Sequence, residues 1–286
     1  TLTLTGITAS NKTYDGTTAA AMANAGTLAG IALNDEVSFS SLGANFADKD
    51  VGIGKTVTIS GITLSGADAG NYMIASTATG AADISQRVLN LSGNRVYDGS
   101  ADLAASIFTL GNLVNGEQLT LSGGGWMNDK NAGSEKAFSY GSLAIDDGAG
   151  GVASNYTLLN GVGRVDVAKA QIAAVSGITA SGKTYDGTAS ATLDTSGATF
   201  GGMIANDDLT VGSASGAFAD KNAGMGKAVT ISGITLSGAD AGNYTLVSDT
   251  ATTTATIARA QIAAVGGIAA SGKTYDGTAS ATLDTS

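Results

Sequence analysis

Short stretches in which apolar and polar residues alternate recur along the chain, for example at residues 56–59 and 228–231. Alternation with a period of two is typical of a strand that is buried on one face. No segment keeps apolar residues at the i, i+3, i+4 and i+7 positions that an amphipathic helix requires. The pattern therefore predicts an all-β fold.

The alternation changes phase at a glycine in three places. Val57 and Ile59 precede Gly61, whereas Ile62 and Leu64 follow it in the opposite phase. In a regular strand such a shift would turn the second apolar pair to the other face of the sheet. We therefore expect a bulge or a bend at each of these glycines, which are Gly61, Gly141 and Gly233.

Three short motifs recur in a fixed order and divide the chain into repeats. Tyr-Asp-Gly occurs four times, at intervals of 83, 88 and 90 residues, and Asp-Lys and then Asn-Tyr follow each of its first three copies. The repeats predict three modules, at residues 1–86, 87–171 and 172–261, and the opening part of a fourth at residues 262–286. We expect each complete module to be a β-sandwich of the immunoglobulin-like type. The alternative is a continuous β-helix (a solenoid), whose coil-length period is not visible inside a module.

The module boundaries contain neither glycine nor proline. Residues 84–88 read Ile-Ser-Gln-Arg-Val, and the later boundaries are similar. A flexible linker would be rich in glycine and serine. We therefore expect the last strand of one module to lead directly into the next module, which predicts a semi-rigid rod.

The composition excludes several classes of site. The chain has no cysteine and no histidine, so it lacks thiolate ligands, thiol nucleophiles and the commonest general base. Its net charge of −10 argues against binding to nucleic acid, and it has no long apolar run for membrane insertion. Of the 24 acidic residues 21 are aspartate, which favours turns over helices. We expect no enzymatic activity and no cofactor.

The repeated motifs are predicted to be structural. Asp-Gly is a favoured pair in tight turns, and the preceding tyrosine would lie at the rim of the core with its hydroxyl hydrogen-bonded. The predicted structural residues are Tyr14, Asp15, Gly16, Tyr97, Asp98, Gly99, Tyr185, Asp186, Gly187, Tyr275, Asp276 and Gly277, together with Asn71, Tyr72, Asn155, Tyr156, Asn243 and Tyr244.

Two further sets of residues suggest alternative roles. Loop carboxylates beside the Asp-Lys motif are candidate Ca²⁺ ligands; they are Asp48, Asp50, Asp129 and Asp220. The only tryptophan, Trp126, is aligned with Phe46 and Phe218 and is expected to be a core aromatic. The alternative for Trp126 is a platform on which a sugar ring stacks.

The residues 11–18, 181–188 and 232–244 resemble the YDG/MBG-type repeats of very large bacterial surface proteins. Many of those are filamentous-haemagglutinin-like adhesins exported by two-partner secretion. The resemblance implies a stalk or fibre segment of an extracellular or cell-surface protein that acts in adhesion, aggregation or a biofilm matrix. The resemblance identifies no ligand. We expect self-association into filaments as the main form of partner binding, because the partial module at residues 262–286 could complete the sheet of a neighbouring chain by strand addition. The alternative is an array that binds exopolysaccharide. Module 2 departs from the pattern, because Arg95 replaces the motif lysine and residues 146–148 interrupt the Ser-Gly-Ala-Asp stretch.

Overall fold

The computed structural model describes residues 1–285 and confirms the all-β prediction. No α-helix, and hence no helix long and apolar enough to cross a membrane, occurs among these residues. The only helical elements in this part of the chain are 3₁₀ turns of three residues, at Ala69–Asn71, Ala105–Ile107, Ala153–Asn155 and Ala241–Asn243. The chain divides into two compact units. The first, Thr1–Ala168, holds module 1 and all but the last three residues of module 2 as the repeats define it, and the second begins at Lys169.

Module 1 is organised around a five-stranded sheet. In spatial order its strands are Lys12–Thr13, Thr77–Ser85, Gly52–Ser60, Gly43–Phe46 and Ala19–Ala20. Pairing is antiparallel except at the first pair, which is parallel. Three antiparallel two-stranded sheets complete the module: Thr3–Thr5 with Thr27–Ala29, Thr8–Ala9 with Met22–Asn24, and Ser38–Ser40 with Thr63–Ser65.

Module 2 distributes the corresponding strands over smaller sheets. A four-stranded sheet has the order Phe108–Gly111, Asn90–Val96, Gly163–Ala168 and Gly133–Lys136, and a three-stranded sheet has the order Asp102–Ala104, Gly124–Met127 and Phe138–Ser139. Two pairs complete it: Leu119–Ser122 with Ala144–Asp147, and Arg87–Val88 parallel to Tyr156–Thr157.

The second unit repeats the five-stranded sheet of module 1. Its order is Lys183–Thr184, Ala251–Ala258, Gly224–Ser237, Thr210–Phe218 and Ser190–Ala191. The two-stranded sheets are Ala170–Ile172 with Tyr244–Leu246, Ala174–Ser176 with Thr199–Gly201, Thr179–Ala180 with Leu193–Asp194, and Ala269–Ala270 with Leu283–Asp284. The last pair lies in residues 262–285, whose side chains are all exposed.

The strands have the burial pattern that the alternation predicts. Val57 and Ile59 are buried, whereas Thr56 and Thr58 on the other face of the same strand are exposed. Each of the three glycines at the phase shifts has a positive φ, between +55° and +65°. The chain bends at Gly61, after which Thr63–Ser65 pairs in a different sheet. At Gly233 the strand is continuous, but its register against the neighbouring strand shifts.

The chain passes from module 1 to module 2 without a loop. Thr77–Ser85 belongs to the main sheet of module 1, and Arg87–Val88 already pairs with a strand of module 2. The buried core is also continuous across this boundary, because Leu89 and Tyr156 of module 2 belong to the same apolar cluster as Val57 and Ile84 of module 1. Modules 1 and 2 are therefore packed against each other through a shared core.

Candidate functional site: the junction between modules 1 and 2

The Tyr-Asp-Gly motif forms a turn that its own residues stabilise. The Asp15 carboxylate accepts hydrogen bonds from the Thr17 backbone N–H at 2.9 Å and from the Lys12 ammonium at 2.8 Å. Gly16 has a φ of +79°, a conformation that glycine adopts without a steric penalty. The turns at Asp186 and Asp276 have the same two contacts. In module 2 the guanidinium of Arg95 takes the place of the lysine and binds Asp98.

The Asp-Lys loops are closed in a similar way. Asp129 Oδ1 accepts the Asn131 N–H at 2.8 Å and the Lys136 ammonium at 2.5 Å. Asp48 with Lys55, and Asp220 with Lys227, make the same pair. The hydrogen bond from the lysine and then that from the backbone N–H hold the pKa of each aspartate below its usual range. Three of the four candidate Ca²⁺ ligands thus bind a lysine, and residues 1–285 contain no group of three or more acidic side chains arranged to hold a metal ion.

The Asn-Tyr motif lies at the end of a 3₁₀ turn and directs its tyrosine at an acidic residue. The Tyr156 hydroxyl donates to Glu117 Oε2 at 2.6 Å and accepts the Val114 backbone N–H at 3.1 Å. In module 3 the Tyr244 hydroxyl binds Asp207 at 2.5 Å in the same manner. Tyr72 binds Asp35 in module 1.

Sequence reasoning missed these three acidic residues. Each follows a residue with positive φ, since Asn34, Gly116 and Asn206 have φ values of +73°, +83° and +70°. The signal that could have revealed them is therefore an Asn or Gly followed by an acid, 37 to 39 residues before the tyrosine.

Glu117 brings the motifs of two modules together. Its Oε1 accepts the Tyr14 hydroxyl at 2.6 Å and the Lys49 ammonium at 2.7 Å, both from module 1. Its Oε2 accepts Tyr156 of its own module. The rings of Tyr14 and Tyr156 meet edge to face with centroids 5.3 Å apart. The tyrosine of Tyr-Asp-Gly, the lysine of Asp-Lys and the tyrosine of Asn-Tyr thus converge on one carboxylate.

A second polar contact lies beside Glu117. Asn155 is fully buried, and its amide group donates to Asp50 Oδ1 at 2.9 Å and accepts the Val51 backbone N–H at 2.9 Å. The fourth Ca²⁺ candidate, Asp50, therefore binds the side chain of the adjacent module. Because one amide pairs with a donor and an acceptor at once, this contact fixes the position of module 1 against module 2.

The glycine of Tyr-Asp-Gly and Arg87 complete the junction. A Cβ atom on Gly16 would lie 2.6 Å from Cγ1 of Val114 in module 2, so a larger residue there would force the Val114 side chain to move. Arg87, the first residue of module 2, donates to the Asn112 carbonyl at 2.6 Å and to the Asn112 side chain at 2.7 Å. Its guanidinium also lies 3.4 Å from the Tyr14 carbonyl.

Burial and hydrogen bonding shift the pKa values at the junction. Burial raises the pKa of Glu117, but the hydrogen bonds from Lys49, Tyr14 and Tyr156 together lower it by more. The pKa of Glu117 therefore lies below its ordinary value. Burial, followed by the hydrogen bond to Glu117, raises the pKa of Tyr156 to about 12. The same two causes raise the pKa of Tyr14. At neutral pH both phenols keep the protons that they donate to an anionic Glu117.

The other motif tyrosines differ in exposure. Tyr97 and Tyr244 are buried, whereas Tyr185 is 38% exposed and Tyr275 is 94% exposed.

The expectation that Trp126 is a core aromatic is wrong, because its side chain is 50% exposed. The residue that corresponds to Phe46 and Phe218 is the buried Met127, since each of these three lies two positions before the aspartate of Asp-Lys. Trp126 lies one position earlier, so the pleat turns it to the opposite face.

Both Glu117 oxygens are occupied by donors, so the junction holds modules together and leaves no open carboxylate at its centre.

No curated protein and no solved structure matches the chain. The family described as the YDG domain matches three segments, residues 1–80, 85–162 and 168–255, which together make up most of the sequence. The chain therefore belongs to the YDG domain family and contains three copies of that domain.

Proposed function

We propose that this chain is a stalk or fibre segment of an extracellular bacterial adhesin or biofilm-matrix protein, built of tandem β-sandwich modules. It acts in cell adhesion or aggregation by carrying load from one module to the next. The observation that supports this proposal is the convergence of Tyr14, Lys49 and Tyr156 on Glu117. Residues that recur in every repeat are used there to join neighbouring modules.

A load-bearing role follows from the kind of contact that the junction makes. A purely apolar interface is tolerant of sliding, because the hydrophobic effect has no preferred direction. Charge-assisted hydrogen bonds to Glu117 and the paired amide of Asn155 have a fixed geometry. These hydrogen bonds oppose the sliding of one module along the other, and they act in addition to the shared apolar core around Val57 and Leu89.

Stretching single molecules that are tethered at both ends tests this proposal. We expect modules 1 and 2 of the wild-type chain to unfold in one step that releases about 60 nm, since each residue extends by roughly 3.6 Å. In the Glu117→Ala variant this step should split into two of about 30 nm each. Glu36→Ala, at an exposed site of module 1, is the matched control and should leave the single step intact. Separate steps in the wild type, at forces that Glu117→Ala does not change, would contradict a coupled stalk.

A second candidate function is binding of an exopolysaccharide, and the exposure of Trp126 favours it. The indole ring packs over Gly141 on one side, where a Cβ would lie 2.5 Å from Cζ3, and half of its surface is open. An exposed indole with a rigid backing can stack on a sugar ring. Because Trp126 is the only tryptophan, a fluorescence titration with neutral oligosaccharides reports on this site alone. A saturable change in emission, together with a binding heat in calorimetric titration that the Trp126→Ala variant loses, would support the function. Constant emission and no binding heat would exclude Trp126 as a sugar platform.

A further inference from the structure

Module 2 begins and ends with segments that lie side by side and run parallel. We call residues 87–96 the entry segment and residues 156–168 the exit segment. The paired strands are Arg87–Val88 with Tyr156–Thr157, and Asn90–Val96 with Gly163–Ala168. The second of these pairings covers six consecutive residues on each strand.

Backbone hydrogen bonds join the two pairings into one ladder. The Leu89 N–H donates to the Thr157 carbonyl at 2.9 Å, and the Leu91 N–H donates to the Val162 carbonyl at 2.9 Å. These bonds span the short loop that separates the two strands of the exit segment. The entry segment is therefore bonded to the exit segment along its whole length.

A ladder with this direction is loaded in shear when the chain is stretched. Force enters module 2 at the start of the entry segment and leaves it at the end of the exit segment. Because the two segments are parallel, these two points lie at opposite ends of the ladder. The evenly spaced hydrogen bonds between parallel strands then share the force and must break together. Force applied at one end of the ladder would instead open the same bonds one after another.

The second unit has a shorter ladder that is interrupted. Ala170–Ile172 is parallel to Tyr244–Leu246 over three residues, and Lys183–Thr184 is parallel to Ile257–Ala258 over two. Between these pairings Ala174–Ser176 turns away and pairs with a different strand. Fewer hydrogen bonds therefore share the force, and they lie in two separate groups.

The length of the entry segment explains this difference. Arg87 and Ala170 are equivalent, because each lies opposite the tyrosine of an Asn-Tyr motif. Tyr97 of Tyr-Asp-Gly follows Arg87 by ten residues, whereas Tyr185 follows Ala170 by fifteen. The shorter path in module 2 contains no residues for a detour, so the entry segment stays against the exit segment.

We propose that module 2 is a mechanical clamp, whose parallel ladder gives it a higher resistance to stretching than the second unit has. The inference rests on the proposed stalk function and deepens it, because it specifies which module carries the largest load before it unfolds.

Stretching the full chain between two introduced cysteines tests the clamp, since the chain has no cysteine of its own. Gln86→Cys with Lys169→Cys loads the ladder in shear. Val96→Cys with Lys169→Cys pulls at one end of the same ladder and is the matched control. All three side chains are exposed, so module 2 should fold in both variants. We expect the unfolding force of the first pair to exceed that of the second severalfold, and equal forces would overturn the clamp.

A third pair of cysteines tests the length of the ladder. Lys169→Cys with Arg259→Cys, both at exposed positions, stretches the second unit in shear. We expect this unit to unfold at a lower force than module 2 does between residues 86 and 169. An equal or higher force would overturn the assignment of the clamp to module 2.

These outcomes can be separated from those of the junction experiment. Equal forces in the two pulling directions, with a single step for modules 1 and 2 that Glu117→Ala splits, would overturn the clamp and leave the stalk function supported. A force that depends on direction, with separate steps for modules 1 and 2 in the wild type, would contradict the coupled stalk and support the clamp as a property of module 2.

Discussion

The Tyr-Asp-Gly turns of modules 1 and 3 have the same local structure and different surroundings. Gly16 and Gly187 have φ values of +79° and +80°, and each aspartate accepts the N–H two residues later at 2.9 Å. Tyr14 is nevertheless fully buried, whereas Tyr185 is 38% exposed. The turn is therefore determined by its own residues, and the burial of Tyr14 comes from Glu117 and Tyr156 of the adjacent module.

Replacing the two tyrosines should give the largest contrast. Tyr14→Ala removes a fully buried aromatic side chain and should lower the free energy of unfolding by about 3–5 kcal/mol. Tyr185→Ala removes a partly exposed one and should cost about 1 kcal/mol or less. Urea unfolding followed by hydrogen exchange in peptides of each module measures both. Equal losses of unfolding free energy would mean that module 2 contributes nothing to the packing of the Tyr14 side chain.

The two glycines should differ by a smaller amount. Alanine at either site must adopt a positive φ, which costs about 1–2 kcal/mol. Only at Gly16 would the new Cβ also collide with Val114, whereas nothing lies within 4 Å of a Cβ at Gly187. Overpacking should add about 1–3 kcal/mol for Gly16→Ala. The same unfolding measurement tests this difference, and an equal cost at both sites would show that Val114 does not restrict the turn.

The sequence predicts those features that depend on nearby residues. The turn at Asp15 depends on a hydrogen bond to Thr17, two residues away, and the bend at Gly61 follows from the phase of the apolar residues around it. The turn and the bend each depend on residues only a few positions away, so a short stretch of sequence contains the information that specifies them.

The junction could not be predicted in this way. Tyr14 and Glu117 are 103 residues apart, and Lys49 and Glu117 are 68 apart, so no local pattern links them.

Trp126 shows a second limit of prediction from the sequence. An alignment shifted by one residue exchanges the two faces of a strand, and so an exposed tryptophan was predicted to be buried.

Acid should weaken the junction of modules 1 and 2. Glu117 has a pKa below its ordinary value of 4.5 in the folded chain, so its contribution to stability is complete above pH 4.5 and is lost as the pH falls through the lowered value. Glu117→Gln cannot ionise. We expect the melting temperature of the wild type to exceed that of the variant at pH 7 and the difference to disappear in acid. A difference that is constant from pH 7 to pH 3 would contradict an ionised Glu117.

The smallest contrast is expected for the two lysines. Lys49 binds Glu117, but its side chain is 38% exposed, and solvent weakens an ion pair of this kind. Lys49→Met should therefore cost about 0.5–1 kcal/mol. Lys221→Met, at the exposed equivalent site in module 3, should change the free energy of unfolding by less than about 0.5 kcal/mol. A larger loss at Lys221 than at Lys49 would contradict the assignment of the ion pair.

A double-mutant cycle between Tyr14→Phe and Glu117→Ala tests most directly whether the repeated motifs join one module to the next. The two residues belong to different modules and share a hydrogen bond of 2.6 Å. A hydrogen bond to a charged group typically contributes about 1.5–3 kcal/mol. We expect the unfolding free energies of the single and double variants to give a coupling energy of about 1–2 kcal/mol. Additive losses, with a coupling energy near zero, would contradict the account.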